Sequence, residues 1–345
     1  MEPTVHERVV EVLPRIREEA ARTEAERRIP TEVLAALLDA GVFTLGAPAD
    51  RAERAERLLD VVGLVGGACG STGWVTAHAA AVPWLLDLFP HQAWADLRGE
   101  AGVDPLVGFS LEAAGSVREH EDGLLVRGRW SAVTGAAQAG WLILATRHSS
   151  DGEPGPVGLV LVETAAARLE SSVDAVGLTA WGAQDVHLSD VVVPRHAWAG
   201  VGDRAPGLAP VGAIVAMALV GSARGALDLH LEQLRQRVEL TQAGEEVTAR
   251  DLSPARVARA ASSLDAAALV LGTPTDADPD AQARNPFDDQ LYAVERAVEA
   301  VGLVFASVRS HALDNDDPVA RLWRDVRIGA HHARALVNRL RMLGA

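Results

Sequence analysis

The spacing of apolar residues changes from helical to strand-like and back along this chain, and no other feature constrains the fold as much. From residue 5 to about residue 100, apolar residues recur at three- and four-residue steps, as in Val9, Leu13 and Ile16, which predicts amphipathic helices. Between about residues 104 and 200 the period becomes two, which is typical of strands. Helical spacing then returns. We therefore predict three parts, which are a helical part at residues 1–103, a β domain at residues 104–205 and a helical bundle at residues 206–345.

The middle part contains four runs with the composition of β-strands. Turn-forming pairs such as Asp122-Gly123 and Asp151-Gly152 separate them. Several short runs joined by turns predict an antiparallel barrel or sandwich. The runs are residues 124–130, 141–146, 157–162 and 186–193.

Composition excludes several classes of protein. The chain has 345 residues, 48% of them hydrophobic, and can bury a large core. Its single cysteine, Cys69, excludes a disulfide framework and a multi-cysteine metal site. We therefore expect no metal, and a reducing compartment such as the cytoplasm. The N-terminus does not resemble a signal peptide, and no apolar run approaches the roughly 20 residues of a membrane span. The net charge of −15, with no basic block, argues against nucleic-acid and membrane partners.

Lysine is absent, because all 32 basic residues are arginine. A Schiff base, a lysine-anchored pyridoxal cofactor and a P-loop each need a lysine amine. These three kinds of chemistry are therefore excluded.

The last predicted helix begins near Asp317-Pro318 and carries a stripe of polar residues. Asp325 and His332 lie two turns apart on one face, and Arg321 lies one turn before Asp325. A carboxylate between an arginine and an imidazole suits a functional site. A solvated charged face with an incidental histidine pair, His331-His332, explains the same spacing.

Short segments along most of the chain occur in the order of a known family. They are the segment 69–75 (Cys-Gly-Ser-Thr-Gly-Trp-Val), Trp130 with Thr134-Gly135, Gly177-Leu178, the segment 190–194 (Asp-Val-Val-Val-Pro), Ala223-Arg224, and Arg324-Asp325 with His332. Together they resemble the acyl-CoA dehydrogenase superfamily, and within it the branch of flavin-dependent monooxygenases that act with a separate flavin reductase. Classical acyl-CoA dehydrogenases commonly carry their glutamate base in a Tyr-Glu-Gly segment. Here the only tyrosine, Tyr292, precedes Ala293-Val294.

The resemblance implies a mostly helical α+β protein with the acyl-CoA dehydrogenase fold, in which an antiparallel β-barrel lies between an N-terminal helical domain and a C-terminal four-helix bundle. It implies reduced FAD or FMN as cofactor and O2 as co-substrate. The implied reaction is hydroxylation or N-oxidation of a small aromatic or natural-product substrate. The implied partners are a flavin reductase and further copies of the chain, in a dimer or tetramer.

The resemblance also implies roles for individual residues. The candidate catalytic residues are His332, His78 and Thr134. The candidate flavin-binding residues are Trp74, Thr134, Gly135, Trp181, Gly182, Ala183, Arg224 and Arg235. The candidate substrate-pocket residues are Phe109, Trp141 and His331.

Each of these roles has a structural alternative. Thr134 is also typical of a turn, and His78 of a buried core histidine. Trp141 and Trp181 could serve packing alone. Arg224 and Arg235 match phosphate oxygens, and equally match surface carboxylates. Each alternative assigns the residue to the fold and not to the site.

Three segments depart from the family pattern, which are Trp181-Gly182-Ala183, Ser310-His311, where the branch has a glycine pair, and the segment after Pro48, where a Gly-Gly is missing. The branch commonly has Thr-Gly-Ser where this chain has Trp181-Gly182-Ala183, so two hydroxyl groups are lost and flavin binding could be altered or lost. Two further hypotheses therefore stand beside the monooxygenase. One is a flavin dehydrogenase or oxidase of the same fold. The other is a flavin-independent member that acts as a cyclase or ligand-binding protein.

Overall fold

A computed structural model describes residues 3–44, 51–99, 104–150, 153–171, 174–241, 254–272, 285–308, 314 and 316–343. Helices occupy both ends of these ranges and a β-sheet lies between them. The helices are α1 (Val5–Glu18), α2 (Ala20–Glu26), α3 (Thr31–Asp39), α4 (Arg51–Ala68), α5 (Gly70–Leu86), α6 (His91–Arg98), α7 (Ala209–Thr241), α8 (Pro254–Gly272), α9 (Pro286–Phe305) and α10 (Pro318–Leu343). The proposed boundaries at residues 103 and 205 stay a prediction.

The strands form one sheet in the order β5-β6-β2-β1-β3-β4-β7, with β5 and β7 at its edges. They are β1 (Val107–His120), β2 (Gly123–Val133), β3 (Trp141–Ser150), β4 (Glu153–Glu163), β5 (Arg168–Ser171), β6 (Gln184–Val193) and β7 (Trp198–Gly200). The four predicted runs lie in β2, β3, β4 and β6. One pairing differs from the antiparallel prediction, because β1 and β3 are parallel. The long β1 pairs with β2 on one side and β3 on the other, so the chain crosses over after β2.

The amphipathic pattern locates α1, α3 and α4 correctly. Thr4 begins α1 with a capping box, in which its hydroxyl accepts from the Glu7 N–H and the Glu7 carboxylate accepts from the Thr4 N–H. Helix α5 has no polar face, because every residue from Gly70 to Leu86 is buried. A helix buried on all sides lacks the period of an amphipathic one, so its ends could not be predicted.

Helix α7 is long and apolar enough to cross a membrane by length and composition alone. The apolar segment is Gly202–Gln236, and 72% of its most hydrophobic window is buried inside the protein. The expectation that no apolar run approaches the length of a membrane span is therefore wrong for this segment. Its burial is that of a core helix, since α4, α5, α9 and α10 all pack against α7.

Glycines allow α4, α5 and α7 to approach one another at backbone distance. A Cβ atom added at Gly221 would lie 2.1 Å from the carbonyl oxygen of Gly63, and one at Gly225 would lie 2.2 Å from that of Gly67. A Cβ at Gly73, on α5, would lie 2.3 Å from the Cα of Gly66. Any side chain at these positions would force the helices apart.

A buried carboxyl group joins three parts of the fold. Asp325, on α10, is only 3% exposed, and its Oδ1 accepts a hydrogen bond from the backbone N–H of Leu178 in the loop before β6. A Cβ at Gly70, the first residue of α5, would lie 2.4 Å from the Asp325 Oδ2. A Cβ at Gly177 would lie 2.4 Å from the carbonyl oxygen of Arg324. We call Gly70, Gly177, Leu178 and Asp325 the Asp325 junction.

The arginines beside Asp325 pair with a different carboxylate from the one that spacing suggests. The Arg324 guanidinium lies 2.6 Å from Glu24 on α2, and that of Arg321 lies 3.7 Å from the same carboxylate. Asp325 itself is bonded to a backbone N–H. The polar stripe therefore makes a largely buried contact between α10 and α2, and is not a solvated face.

Gly70→Ala tests the close approach at the Asp325 junction. The added methyl group would overlap the Asp325 carboxylate, so we expect the free energy of unfolding to fall by about 1–3 kcal/mol. Gly302→Ala on α9 is the matched control, because a Cβ there meets nothing within 4 Å. Alanine favours helix over glycine, so the control is expected to gain up to about 1 kcal/mol. Urea unfolding curves measure both, and equal stability of the two variants would contradict the packing described.

Candidate active site

Five aromatic or imidazole rings meet where α5, the sheet and α10 come together. Trp74 and His78 lie one turn apart on α5, with ring centroids 4.6 Å apart. The His78 ring stacks on Phe109 of β1 at 5.1 Å. The His332 ring, from α10, lies 4.6 Å from that of Trp181 and 6.5 Å from that of Trp74. We call Trp74, His78, Phe109, Trp181 and His332 the ring cluster.

The hydroxyl of Thr134 lies beside the ring cluster. The Trp74 indole Nε1 donates a hydrogen bond to the Thr134 Oγ1 at 3.3 Å, and both side chains are buried. The Thr134 backbone also forms an isolated bridge with Phe109. Thr134 is therefore held by α5 through its hydroxyl and by β1 through its backbone.

Two turns at the ends of strands hold the loop that carries Trp181. Gly135 has φ +73° and donates its N–H to the Trp181 carbonyl oxygen at 3.0 Å. The Ala137 N–H donates to the Gly182 carbonyl oxygen, also at 3.0 Å. Gly182 has φ +63°, a conformation that glycine adopts without strain. These bonds fix the position of Trp181 relative to Thr134.

Burial keeps both histidines of the ring cluster uncharged near neutral pH. It lowers the pKa of His78 to about 4. Burial also lowers the pKa of His332 to about 4, and electrostatic interaction with the neighbouring His331 and Arg339 lowers it further. The His78 Nδ1 lies 2.9 Å from the carbonyl oxygen of Trp74, so this nitrogen carries the proton in the neutral ring. The Nε2 of His78 is then an acceptor.

The structure brings together most of the predicted site residues. Ala183 is buried at the end of the Trp181 loop, and adds no hydroxyl there. His331 is exposed, with its ring centroid 5.2 Å from that of His332. Trp141 is half-buried at the start of β3 and packs on the core. Within the part of the chain that the structure describes, the Trp141 ring makes no ring contact with the cluster.

The two predicted phosphate-binding arginines lie outside this group. Arg224 pairs with Asp265 of α8, and Arg235 lies 3.5 Å from Glu232, one turn earlier on α7. Arg224 also lines a separate cavity of about 720 Å³ between α4 and α7. These contacts match the alternative interpretation, in which both arginines form ion pairs on the bundle.

Sequence reasoning missed one residue that shapes the site. A Cβ at Gly329 would lie 3.4 Å from the Trp74 ring and 2.5 Å from the Leu219 side chain. Gly329 therefore leaves room for the Leu219 side chain, and lets α10 pack at ordinary contact distance on the indole one turn before His332. An isolated glycine inside a helical pattern lowers the stability of the helix by about 1 kcal/mol relative to alanine. Its presence in the sequence could therefore have indicated a close packing contact at this position.

Comparison with known proteins assigns the chain and its fold to a family. Residues 213–336 match the family described as "Acyl-CoA dehydrogenase, C-terminal domain". The chain is 32% identical to the oxygenase subunit HsaA of a flavin-dependent monooxygenase from Rhodococcus jostii strain RHA1, over 95% of this chain and 93% of HsaA. The chain belongs to the oxygenase subunits of flavin-dependent monooxygenases.

Two further comparisons agree with this membership. The oxygenase component of an FADH2-dependent resorcinol hydroxylase from Rhizobium sp. strain MTP-10005 is 28% identical over 94% of this chain and 89% of that protein. The crystal structure of 3-HSA hydroxylase from Rhodococcus sp. RHA1 superposes with a TM-score of 0.87 at 28% identity, and the match covers 99% of this chain and 95% of that one. The predicted fold class is confirmed.

Membership also decides between the three hypotheses. The protein is an oxidoreductase of the monooxygenase type, with a reduced flavin as cofactor and O2 as co-substrate. An oxygenase subunit implies a separate partner that supplies the reduced flavin, as predicted. The dehydrogenase or oxidase and the flavin-independent cyclase are not supported.

The residues of this monooxygenase site fit the edge of a flavin ring. A Cβ at Gly135 would meet nothing within 4 Å, so the backbone beside the Thr134 hydroxyl is open to a planar ligand. The Thr134 oxygen accepts from Trp74 and keeps its own proton for donation. The fit is weaker at Trp181-Gly182-Ala183, where no side-chain hydroxyl is present.

The buried carboxyl of Asp325 makes the stability of the protein depend on pH. Burial raises the pKa of Asp325 to about 7, against the opposing hydrogen bond from Leu178. The folded state therefore holds this proton more tightly than the unfolded chain does. Stability should consequently decrease as pH rises from 5 to 8, with a loss of about 2–3 kcal/mol from this group.

Asp325→Asn is the variant that isolates this effect, since an amide does not titrate. Urea unfolding of both proteins at several pH values gives the difference in free energy of unfolding. We expect the wild type to lose stability relative to Asp325→Asn as pH rises. Parallel curves for the two proteins would show that Asp325 titrates at an ordinary pKa.

Proposed function

We propose that this monooxygenase hydroxylates a small phenol-like aromatic substrate held against the ring cluster. The observation that carries the proposal is the imidazole of His332, which lies against the rings of Trp74 and Trp181, with the Thr134 hydroxyl bonded to the same Trp74. The names of the relatives, resorcinol hydroxylase and 3-HSA hydroxylase, support an aromatic substrate. N-oxidation would use the same residues on an amine.

When bound, a reduced flavin, FAD or FMN, reacts with O2 and supplies the oxygen atom for transfer. In this proposal Thr134 and Gly135 contact the edge of the flavin ring. Trp74 and Trp181 provide apolar walls, and Gly182 and Ala183 contact the flavin through their backbone. These walls also exclude water from the site, which prevents the loss of oxidising equivalents to solvent.

His332 is the proposed general base of the reaction. Its neutral ring can accept the proton of a substrate hydroxyl group, which raises electron density on the aromatic ring that receives the oxygen. His78 is the second proposed acid–base residue, because its Nε2 is an acceptor in the neutral ring. The adjacent rings of Phe109 and Trp181 would stack on an aromatic substrate.

We also propose that the protein acts as a homo-oligomer, a dimer or a tetramer, in the cytoplasm. Large apolar side chains are exposed on the C-terminal helices, with Leu269 on α8 at 71% and Met342 on α10 at 67%. Tyr292 on α9 is exposed as well. A second copy of the chain would bury such residues.

His332→Ala tests the proposed general base, and His331→Ala is the matched control. Adjacent helix positions point about 100° apart, and of the two rings only that of His332 contacts Trp181. We expect His332→Ala to reduce turnover by roughly 10²-fold, the usual effect of removing a general base, while its melting temperature stays near that of the wild type. His331→Ala should retain most of the activity.

The assay uses reduced FAD or FMN from a flavin reductase and a panel of phenols that includes resorcinol. Mass spectrometry detects addition of one oxygen atom to the substrate. No oxygenated product with any phenol would contradict the proposed substrate class. Equal turnover in the wild type and in both histidine variants would contradict the role of His332.

A further inference from the structure

Trp74 makes a hydrogen bond that determines what the neighbouring hydroxyl can do. Its indole N–H donates to the Thr134 Oγ1 at 3.3 Å. Trp74 is 1% exposed and Thr134 is 6% exposed, so water does not compete for this bond. An indole N–H only donates, and the threonine oxygen must therefore act as the acceptor.

The bond leaves the Thr134 hydroxyl with one proton and one lone pair for a ligand. Next to Thr134, a Cβ at Gly135 would meet no atom of the described residues within 4 Å. A Cβ at Gly108 would lie 3.1 Å from the Thr134 carbonyl oxygen, so β1 packs closely against the Thr134 backbone. The remaining hydrogen-bonding capacity of Thr134 is therefore available to a ligand that binds beside Gly135.

Trp74 itself is held from three directions. The His78 ring contacts it within α5 at 4.6 Å, and the His332 ring approaches it from α10 at 6.5 Å. A Cβ at Gly329 would lie 3.4 Å from the Trp74 ring, so α10 packs at contact distance on the indole. These contacts from α5 and α10 hold the indole, which offers Thr134 a donor at a fixed position.

From this geometry we infer that Trp74 is a positioning residue for the flavin. Its N–H orients the Thr134 hydroxyl, and this hydroxyl makes the contact with the flavin ring. The inference rests on the proposed flavin site at Thr134 and Gly135. It adds Trp74, which acts on the flavin through the Thr134 hydroxyl. Removal of the indole N–H should therefore weaken flavin binding only while the Thr134 hydroxyl is present.

The chain contains a matched control for this pair. The Trp198 Nε1, on β7, donates to the Thr146 Oγ1, on β3, at 3.1 Å. This second tryptophan–threonine bond has the same chemistry and joins two residues of the β-sheet. Neither residue belongs to the ring cluster, so its loss should not affect flavin binding.

The experiment is a double-mutant cycle on flavin affinity. Anaerobic calorimetric titration of the full chain with reduced FMN and reduced FAD gives Kd for the wild type, Trp74→Phe, Thr134→Val and the double variant. We expect each single substitution to raise Kd about 5-fold, the effect of one hydrogen bond. The double variant should bind as Thr134→Val does. Thr134→Ser keeps the hydroxyl and should restore wild-type affinity.

The control cycle uses Trp198→Phe and Thr146→Val, which should each change Kd less than 2-fold. Thermal melting without flavin checks that all variants fold. If Trp74→Phe binds flavin as tightly as Trp198→Phe does, or if its effect adds fully to that of Thr134→Val, the inference is wrong. A wild-type chain that binds neither flavin would instead overturn the proposed flavin site, and the role of Trp74 with it.

Discussion

The hydrogen bond from the Leu178 N–H to the buried Asp325 carboxyl is the interaction on which the rest of the site depends. It joins the loop before β6 to α10, and the lack of a side chain at Gly70 lets α5 begin against the same carboxyl group. Three residues of the ring cluster then follow at a short distance along the chain. Trp74 comes one turn after the start of α5, Trp181 three residues after Leu178, and His332 two turns after Asp325. One buried carboxyl group therefore sets the relative positions of the three elements that carry the site.

Much of the fold could be predicted because its amphipathic elements repeat with a clear period. Helices α1, α3 and α4 and four of the strands follow directly from the spacing of apolar residues. Helix α5 could not be delimited in this way, because burial on every side removes the periodic difference between its faces. The parallel pairing of β1 with β3 depends on how the chain crosses the sheet, which local composition does not encode.

The candidate site was predictable where a resemblance named the residue, and less so where packing decides its role. The structure places Thr134 beside Trp74 and His332 beside Trp181, and the roles of these residues stay a prediction. Arg224 could have met either phosphate or carboxylate, and in the structure Asp265 is its partner. Spacing placed Asp325 beside an arginine, but the group that it accepts from is a backbone N–H 147 positions away in the chain. Such long-range contacts become visible only in three dimensions.

Amide hydrogen exchange in Asp325→Ala is the most direct test of this account. The Asp325 carboxyl group holds the loop at Leu178 in place. Through this loop it also maintains the hydrogen bond from the Gly135 N–H to the Trp181 carbonyl oxygen. In the variant, the amides of Leu178 and Gly135 are expected to exchange at least about tenfold faster, which corresponds to the loss of about 1.4 kcal/mol of local protection. The pairing between β4 and β7 should keep its wild-type rates, since it lies outside the Asp325 junction. Unchanged exchange at Leu178 and Gly135 would contradict the claim that Asp325 positions the site.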